Sequence, residues 1–381
     1  MLPFAYALRN LVRDPVRLLQ TVGGSALVVL LMMTACSLTS GMRRVLGATG
    51  SPRNVLLLGA GSEESVERSE ILQSAAGIAE TSLRGIAAPL DQRAVSPEIH
   101  FMTFLEADGL PRRQARVRGV TPMAFLTYPG VRIQDGAFPR SGEILAGRLA
   151  WRRLNLPEEV LQPGGRLRLD GVPVSVSGVF AAPGTVMESE IWADLGDLRT
   201  FAQRETLSCV VLRLGDAAYQ DIDLFTKQRL DLELSAVRES DYYGRLAEFF
   251  APLRAMTWIT AALVASGAVL GGLNTLYAAF ASRIREMATL QAIGFGRPAL
   301  AFSLVQESLV ACLLGTLLAS ALALAFLDGR TAAFSIGSYT LEISPGVALT
   351  GLLTGATLGI LGALPAVWRC LRPPLPEALR S

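Results

Sequence analysis

The stretch SRIREMATLQAIGFGRP, residues 282–298, is charged and amphipathic and lies between two long apolar runs. Ile284, Met287, Ala288, Leu290 and Ile293 can share one broad face of a helix, with Arg283, Arg285, Glu286 and Gln291 on the remainder. Gly294 supplies the left-handed C-cap that ends such a helix, and Pro298 suits the first turn of the next one. The pattern predicts a short, capped helix over residues 282–297, tied closely to an apolar helix on each side. Periodicity alone is equally met by an ordinary loop helix lying in a membrane interface.

The apolar runs read as membrane spans. Residues 22–42, 258–280, 300–327 and 347–368 each reach the ~20 residues needed to cross a ~30 Å hydrocarbon core. Arg9, Arg13 and Arg17 precede the first span. Arg283, Arg285 and Arg297 lie between the second and third, and Arg369, Arg372 and Arg380 follow the fourth. The loop between the third and fourth holds only Arg330, with Asp328 and Glu342. Arginine-rich short flanks stay in the cytoplasm, so both ends are expected there and the long segment after the first span outside. Arg43 and Arg44 run against this rule, but no other orientation satisfies the remaining flanks. Residues 4–20 read as an amphipathic helix on the inner leaflet. The competing reading, a signal cleaved near Cys36, fits poorly with so long a charged and helical lead.

Composition agrees with a mixture of bilayer helices and a water-soluble domain. The chain has 381 residues, 51% of them hydrophobic, with mean hydropathy +0.39. A net charge of +2 gives no general attraction to nucleic acid. Lys227 is the only lysine and His100 the only histidine, so one chain cannot build a multi-histidine metal site. Of Cys36, Cys209, Cys312 and Cys370, only Cys209 falls in the soluble part, which excludes a disulfide within it. No metal site is expected, and no nucleophile–base constellation points to an enzyme.

The external segment alternates strand and helix patterns. NVLLL from Asn54, IHFMTFL from Ile99, RQARVRGV and LSCVVLRL read as strands. RLRLDGVPVSVSGVF reads as a hairpin about a type I′ turn at Asp170-Gly171, with Pro173 marking an edge. SEESVERSEILQSAA, capped by Ser62, GRLAWRRLN and AAYQDIDLFTKQRL read as helices. Residues 234–258 read as one long helix running into the second span, a stalk with a kink at Pro252. LLLGAGSEES imitates half of a dinucleotide fingerprint, but lacks the third glycine and places Glu64 and Glu67 against any phosphate.

Within the spans, small residues recur every four positions: Gly267 and Gly271 in the second, Gly351, Gly355 and Gly359 in the fourth. This spacing serves close helix packing, within one chain or between two copies. Asn274 and Glu307 are the polar residues at depth. Glu307 reads either as a proton or substrate site or as a polar contact near the inner interface joining the second and third spans.

The segment RIREMATLQAIG resembles the signature of FtsX-like, MacB-type ABC transporter permeases. YALRNLVRDPVRLLQT, Gln306-Glu307 followed by Gly315, and LPAVWRCLRPPLPEALR resemble other landmarks of that family. GVTPMAF, FPRSGEILAG and ESEIWADL resemble its MacB-like periplasmic core domain. The resemblance implies an α-helical membrane protein with four transmembrane helices and a large α/β periplasmic domain inserted between helices 1 and 2. The implied division is 1–44 for the amphipathic helix and first span, 45–250 for the core domain and stalk, and 251–381 for the remaining spans with the coupling helix. It further implies location in a bacterial inner membrane. The partners it implies are a separate ABC ATP-binding subunit carrying ATP and Mg, a second permease copy, membrane lipid, and in some members a periplasmic adaptor and an outer-membrane channel. This chain has no Walker A motif. By the same resemblance, Arg283, Arg285, Glu286, Met287, Leu290, Ile293 and Gly294 form the ATPase-coupling element. The expected function is export or extraction of a periplasmic or outer-leaflet substrate; the alternative is mechanical control of a cell-wall hydrolase without transport.

Overall fold

The structure, a computed structural model, describes residues 4–281, 284–334 and 337–372; Arg283 and the side chain of Asn274 lie outside the described residues. In chain order the elements begin with α1 (Phe4–Arg13) and α2 (Pro15–Thr49), followed by β1 (Asn54–Gly59), α3 (Ser74–Ser82), β2 (Val95–Glu106) and β3 (Arg113–Val120). Next come α4 (Ala124–Thr127), β4 (Arg132–Gly136), β5 (Glu143–Gly147), α5 (Ala150–Leu154), β6 (Arg166–Leu169) and β7 (Val172–Ala181). They continue with β8 (Ile191–Asp194), α6 (Leu195–Phe201), β9 (Cys209–Arg213), α7 (Tyr219–Gln228), β10 (Leu234–Arg238) and α8 (Glu239–Phe249). The last are α9 (Ala251–Ala281), α10 (Ile284–Ala292), α11 (Arg297–Phe326), β11 (Thr331–Phe334), β12 (Gly337–Thr340) and α12 (Pro345–Leu371). They divide into two compact units, one of Met1–Ser40, Pro252–Arg330 and Leu341–Ser381, the other of Gly41–Ala251 and Thr331–Thr340.

The helical unit holds helices long and apolar enough to cross a membrane: α2, α9, α11 and α12 qualify. The glycine spacing of α12 is used within the chain. A Cβ at Gly351 would meet Met33 Sδ at 2.8 Å, one at Gly355 would strike Thr316, and one at Gly359 would lie 2.8 Å from Leu309 Cα. These positions let α12 approach α2 and α11 at backbone distance. No described atom lies within 4 Å of a Cβ built at Gly267 or Gly271, so they serve no such contact inside the described chain.

Glu307 is paired. Its Oε1 accepts from Arg17 Nη2 at 2.8 Å, with the side chains 2% and 12% exposed. The contact joins α11 to the start of α2. The reason is that a desolvated carboxylate is held best by a charged partner, and Arg17 is within reach on the neighbouring helix. Removing one member breaks a buried ion pair, so Glu307→Ala is expected to lower the thermal unfolding midpoint of the detergent-solubilised protein by several degrees. Arg17→Met with Glu307→Met should recover much of that loss. An unchanged midpoint in the single variant would remove the ion pair from the account of the fold.

The other unit is built on a ten-stranded mixed sheet in the order β10-β1-β9-β2-β3-β8-β5-β7-β4, with β6 pairing β2 and β7 off this path. The unbroken apolar run of β1 is explained by burial on both faces. Val55 and Leu57 enter one core with Ile99, Val117 and Leu212, and Leu56 and Leu58 enter a second with Leu145, Phe180 and Trp192. The β6–β7 hairpin turns on Asp170 (φ 43°) and Gly171 (φ 86°), as the Asp-Gly pair requires. Pro173 pairs with Arg168 of β6, while β5 joins β7 only from Ser175 onward. It therefore sits where β7 has one neighbour.

Three expectations change. Residues 62–69 form turns, and the helix starts only at Ser74. Here tertiary bonds outcompete helical ones: Ser69 Oγ accepts from Gly59 N at 2.9 Å, Glu67 pairs with Arg116 at 2.7 Å, and Ile71 bridges to Leu207. Residues 234–238 are not helix but strand β10, paired antiparallel with β1. The remaining helix is broken at Phe250, and Pro252 opens α9, where its missing N–H costs nothing. The segment between α11 and α12, read from sequence only as a short loop, carries the β11–β12 hairpin, which packs on the sheet unit. Ser338 N donates to Ser189 Oγ at 3.0 Å, and Arg152 Nη1 donates to Thr331 Oγ1 at 3.1 Å.

Candidate functional site

The quoted segment forms α10 and ends as its composition demands. Gly294, at φ 108°, donates to Gln291 O at 3.0 Å, and Phe295 N donates to Leu290 O at 3.1 Å. This is a Schellman cap, with the partly buried pair Leu290 and Phe295 packing over it. Met287 (3% exposed) and Ala288 (1%) are buried. Met287 packs in one cluster with Leu300 and Leu304 of α11 and with Ala363, Ala366 and Val367 of α12. The helix is thus fastened to two spans through its apolar face.

That packing divides the expected coupling residues. Met287 is an anchor, because a buried thioether offers no surface to a partner. Leu290 is half-buried in the same cluster. Arg285, Ile293 (71% exposed) and Gly294 face outward. Glu286 Oε1 lies 3.4 Å from Arg13 Nη1, an exposed pair that links α10 to α1 and contributes little by itself.

The sheet unit contains a buried charge network that sequence reading missed. Arg118 on β3 is 1% exposed. Its Nη2 donates to Glu190 Oε1 at 2.8 Å and its Nη1 to Glu98 Oε2 at 3.1 Å. Nε stands 2.8 Å from Glu190 Oε2 without the alignment of a hydrogen bond. Glu98 also accepts from Ser96 Oγ at 3.1 Å and lies 3.2 Å from His100 Nε2. Trp192 Nε1 donates to Glu190 at 3.2 Å. Register explains the convergence, since His100 pairs with Arg118 across β2–β3 and Arg118 with Trp192 across β3–β8. Burial would raise the Glu190 carboxyl, but the charge and hydrogen bond of Arg118 prevail and hold it well below the usual range. Burial, with Arg118 adding to it, lowers His100 and keeps the ring neutral.

Glu98, His100 and Cys209 place possible metal-ligand atoms within 4.8 Å of one another. The carboxylate is already committed to Arg118, Ser96 and the imidazole, and burial pushes the Cys209 thiol up, away from the thiolate that binds metal. Glu98 and His100 satisfy each other.

Glu239 opens α8 and is 1% exposed. Its Oε2 accepts from Ser51 N and Asn54 Nδ2, each at 3.0 Å, joining the start of α8 to the segment after α2. Burial raises its pKa from 4.5 to about 8, against the opposing Ser51 N–H and Arg118. Between these values the folded state holds a proton that the unfolded state has lost, so stability falls as pH rises, by ~1.4 kcal/mol per unit. Glu239→Gln keeps the acceptor and removes the titration. Near pH 5 its unfolding midpoint is expected to match the parent, and near pH 8 to exceed it by several degrees. Parallel pH profiles for the two proteins would contradict a protonated Glu239.

The family models agree with this architecture. Residues 18–222 match the family model for the MacB-like periplasmic core domain, and residues 258–375 that for the FtsX-like permease C-terminal region. The first alone spans more than half the chain, and the protein belongs to the FtsX-like permeases that carry a MacB-like periplasmic core domain. Members of this class are multi-pass permease subunits of ABC transporters, with ATP hydrolysis in a separate subunit. The periplasmic region of MacB from Actinobacillus actinomycetemcomitans is 12% identical, covering 53% of this chain and 94% of its own, with a TM-score of 0.38. The extracellular domain of the noncanonical ABC-type transporter YknZ from Gram-positive bacteria is 13% identical, covering 48% of this chain and 99% of its own, with a TM-score of 0.36. No curated protein matches the chain.

Proposed function

We propose that this permease converts ATP-driven motion of a partner ATPase into movement of its periplasmic domain, exporting or extracting a periplasmic or outer-leaflet substrate. The observation that supports this most is the fastening of α10. Met287 and Ala288 are buried, Met287 against α11 and α12, while Arg285 and Ile293 remain exposed. A helix held this way moves with its spans when a partner pushes on its outer face. The ATPase carries ATP and Mg; this chain carries neither. Two copies work together in the inner membrane, with the arginine-rich flanks on the cytoplasmic side. A periplasmic adaptor and an outer-membrane channel complete the path in this reading.

A mild-detergent pull-down with mass spectrometry tests it. An ATP-binding subunit with a Walker motif, recovered with a periplasmic adaptor, is the expected result. Recovery of the ATPase with a cell-wall hydrolase and no adaptor would replace transport by mechanical regulation. Recovery of the intact permease with no ATPase would overturn the coupling role of α10.

A further inference from the structure

Beside the end of α2 the sheet unit carries a half-open cavity of about 560 Å³, of a size ordinary for small-molecule sites. Tyr128, Val131 and Met187, all nearly buried, give it an apolar wall. Arg132, at the start of β4, and Arg213, at the end of β9, also line it, and none of the described lining residues is acidic. Arg213 is held in place by donating from Nη1 to Thr127 O at 3.2 Å, which uses one of the five donors of its fork. Asn54 lines the same cavity, is fully buried, and leaves Oδ1 without a hydrogen-bond partner while its Nδ2 is bound to Glu239 and Thr127 O. A buried acceptor in that state calls for a donor from a ligand or a trapped water.

We propose that this cavity binds an anionic amphiphile, a molecule with an apolar chain and a carboxylate or phosphate head. The charge decides the class. Two guanidinium groups with no carboxylate between them make the cavity positive, which repels a cationic amphiphile and gives a neutral one no advantage. The apolar wall receives the chain and the arginines the head. The ligand's being cargo rests on the transport function proposed above; its binding does not.

The test uses the full-length protein in phosphatidylcholine nanodiscs, without nucleotide, and dansylated undecanoic acid as the probe. Fluorescence should rise saturably above that of empty discs. Arg132→Gln with Arg213→Gln should weaken binding at least tenfold, and added salt should weaken it in the parent. Gly130→Phe, which adds a ring at a lining residue where a Cβ meets nothing within 4 Å, should weaken it. Dodecylammonium should not compete. Weaker probe binding in phosphatidylglycerol discs identifies a bilayer lipid as the natural occupant; unchanged binding there, with competition by free laurate, identifies a soluble anion. Probe binding equal in empty discs, or unaffected by Gly130→Phe, overturns the site. That failure leaves ATPase coupling standing, since the pull-down reads it separately.

Discussion

Replacing Arg118 with methionine is expected to destabilise the sheet domain by about 3–5 kcal/mol, the usual loss when one member of a buried charge cluster is removed. The side chain is 1% exposed and faces Glu98 and Glu190, both fully buried. Without the guanidinium, Glu190 loses the charge that holds its carboxyl low, in a dry site that disfavours the ionised form. The variant should therefore recover as pH falls and Glu190 takes up a proton. Below about pH 4.5 the parent should do the opposite. Its Glu190 is held well below the usual range, so the stability gained from that carboxylate is present above about pH 4.5 and is lost as pH falls toward the lowered folded value. Glu98→Gln and Glu190→Gln added to Arg118→Met should restore part of the loss. The measurement is fluorescence-monitored unfolding across pH, with the buried Trp192 as reporter. A variant as stable as the parent at neutral pH would show that the network does not hold the domain together.

The second large effect concerns α10. Arg285→Glu with Ile293→Asp should reduce permease-stimulated ATP hydrolysis at least tenfold in the reconstituted complex, a loss of ~1.4 kcal/mol or more at the contact. Both positions are exposed, so folding and insertion should change little. Met287→Asp is the contrasting variant. It puts a charge among Leu300, Leu304 and Ala363, and should reduce the yield of folded permease itself. Full stimulated hydrolysis by the surface variant would remove α10 from the ATPase interface.

Which parts were legible in the sequence follows from the range of the interactions involved. The spans were, because hydrocarbon imposes a length and a polarity on each helix independently of its neighbours. The Schellman cap at Gly294 and the turn at Asp170-Gly171 were, because each is set by the backbone freedom of one or two residues. The short helix α10 was legible in the sequence, but its division into a buried and an exposed side was not. Periodicity put Met287 and Ile293 on one broad face, and only packing against α11 and α12 shows Met287 buried and Ile293 open.

The failures share a cause. Residues 62–69 carry a helix pattern that bonds to β1 and β3 override, and residues 234–238 are strand because β1 offers them an edge. Glu98, Arg118, Glu190 and Glu239 look like surface charges in a sequence that is 18% charged. What distinguishes them is strand register and helix placement, which bring residues far apart in the chain into one dry site. By itself, then, the sequence determined the membrane-crossing helices, the local turns and caps, and the family, all of which rest on neighbouring residues or a contiguous motif. The tertiary structure alone decided the partner of Glu307, the buried network and the arginine-lined cavity. Charges attract through space regardless of chain distance, and burial decides how strongly.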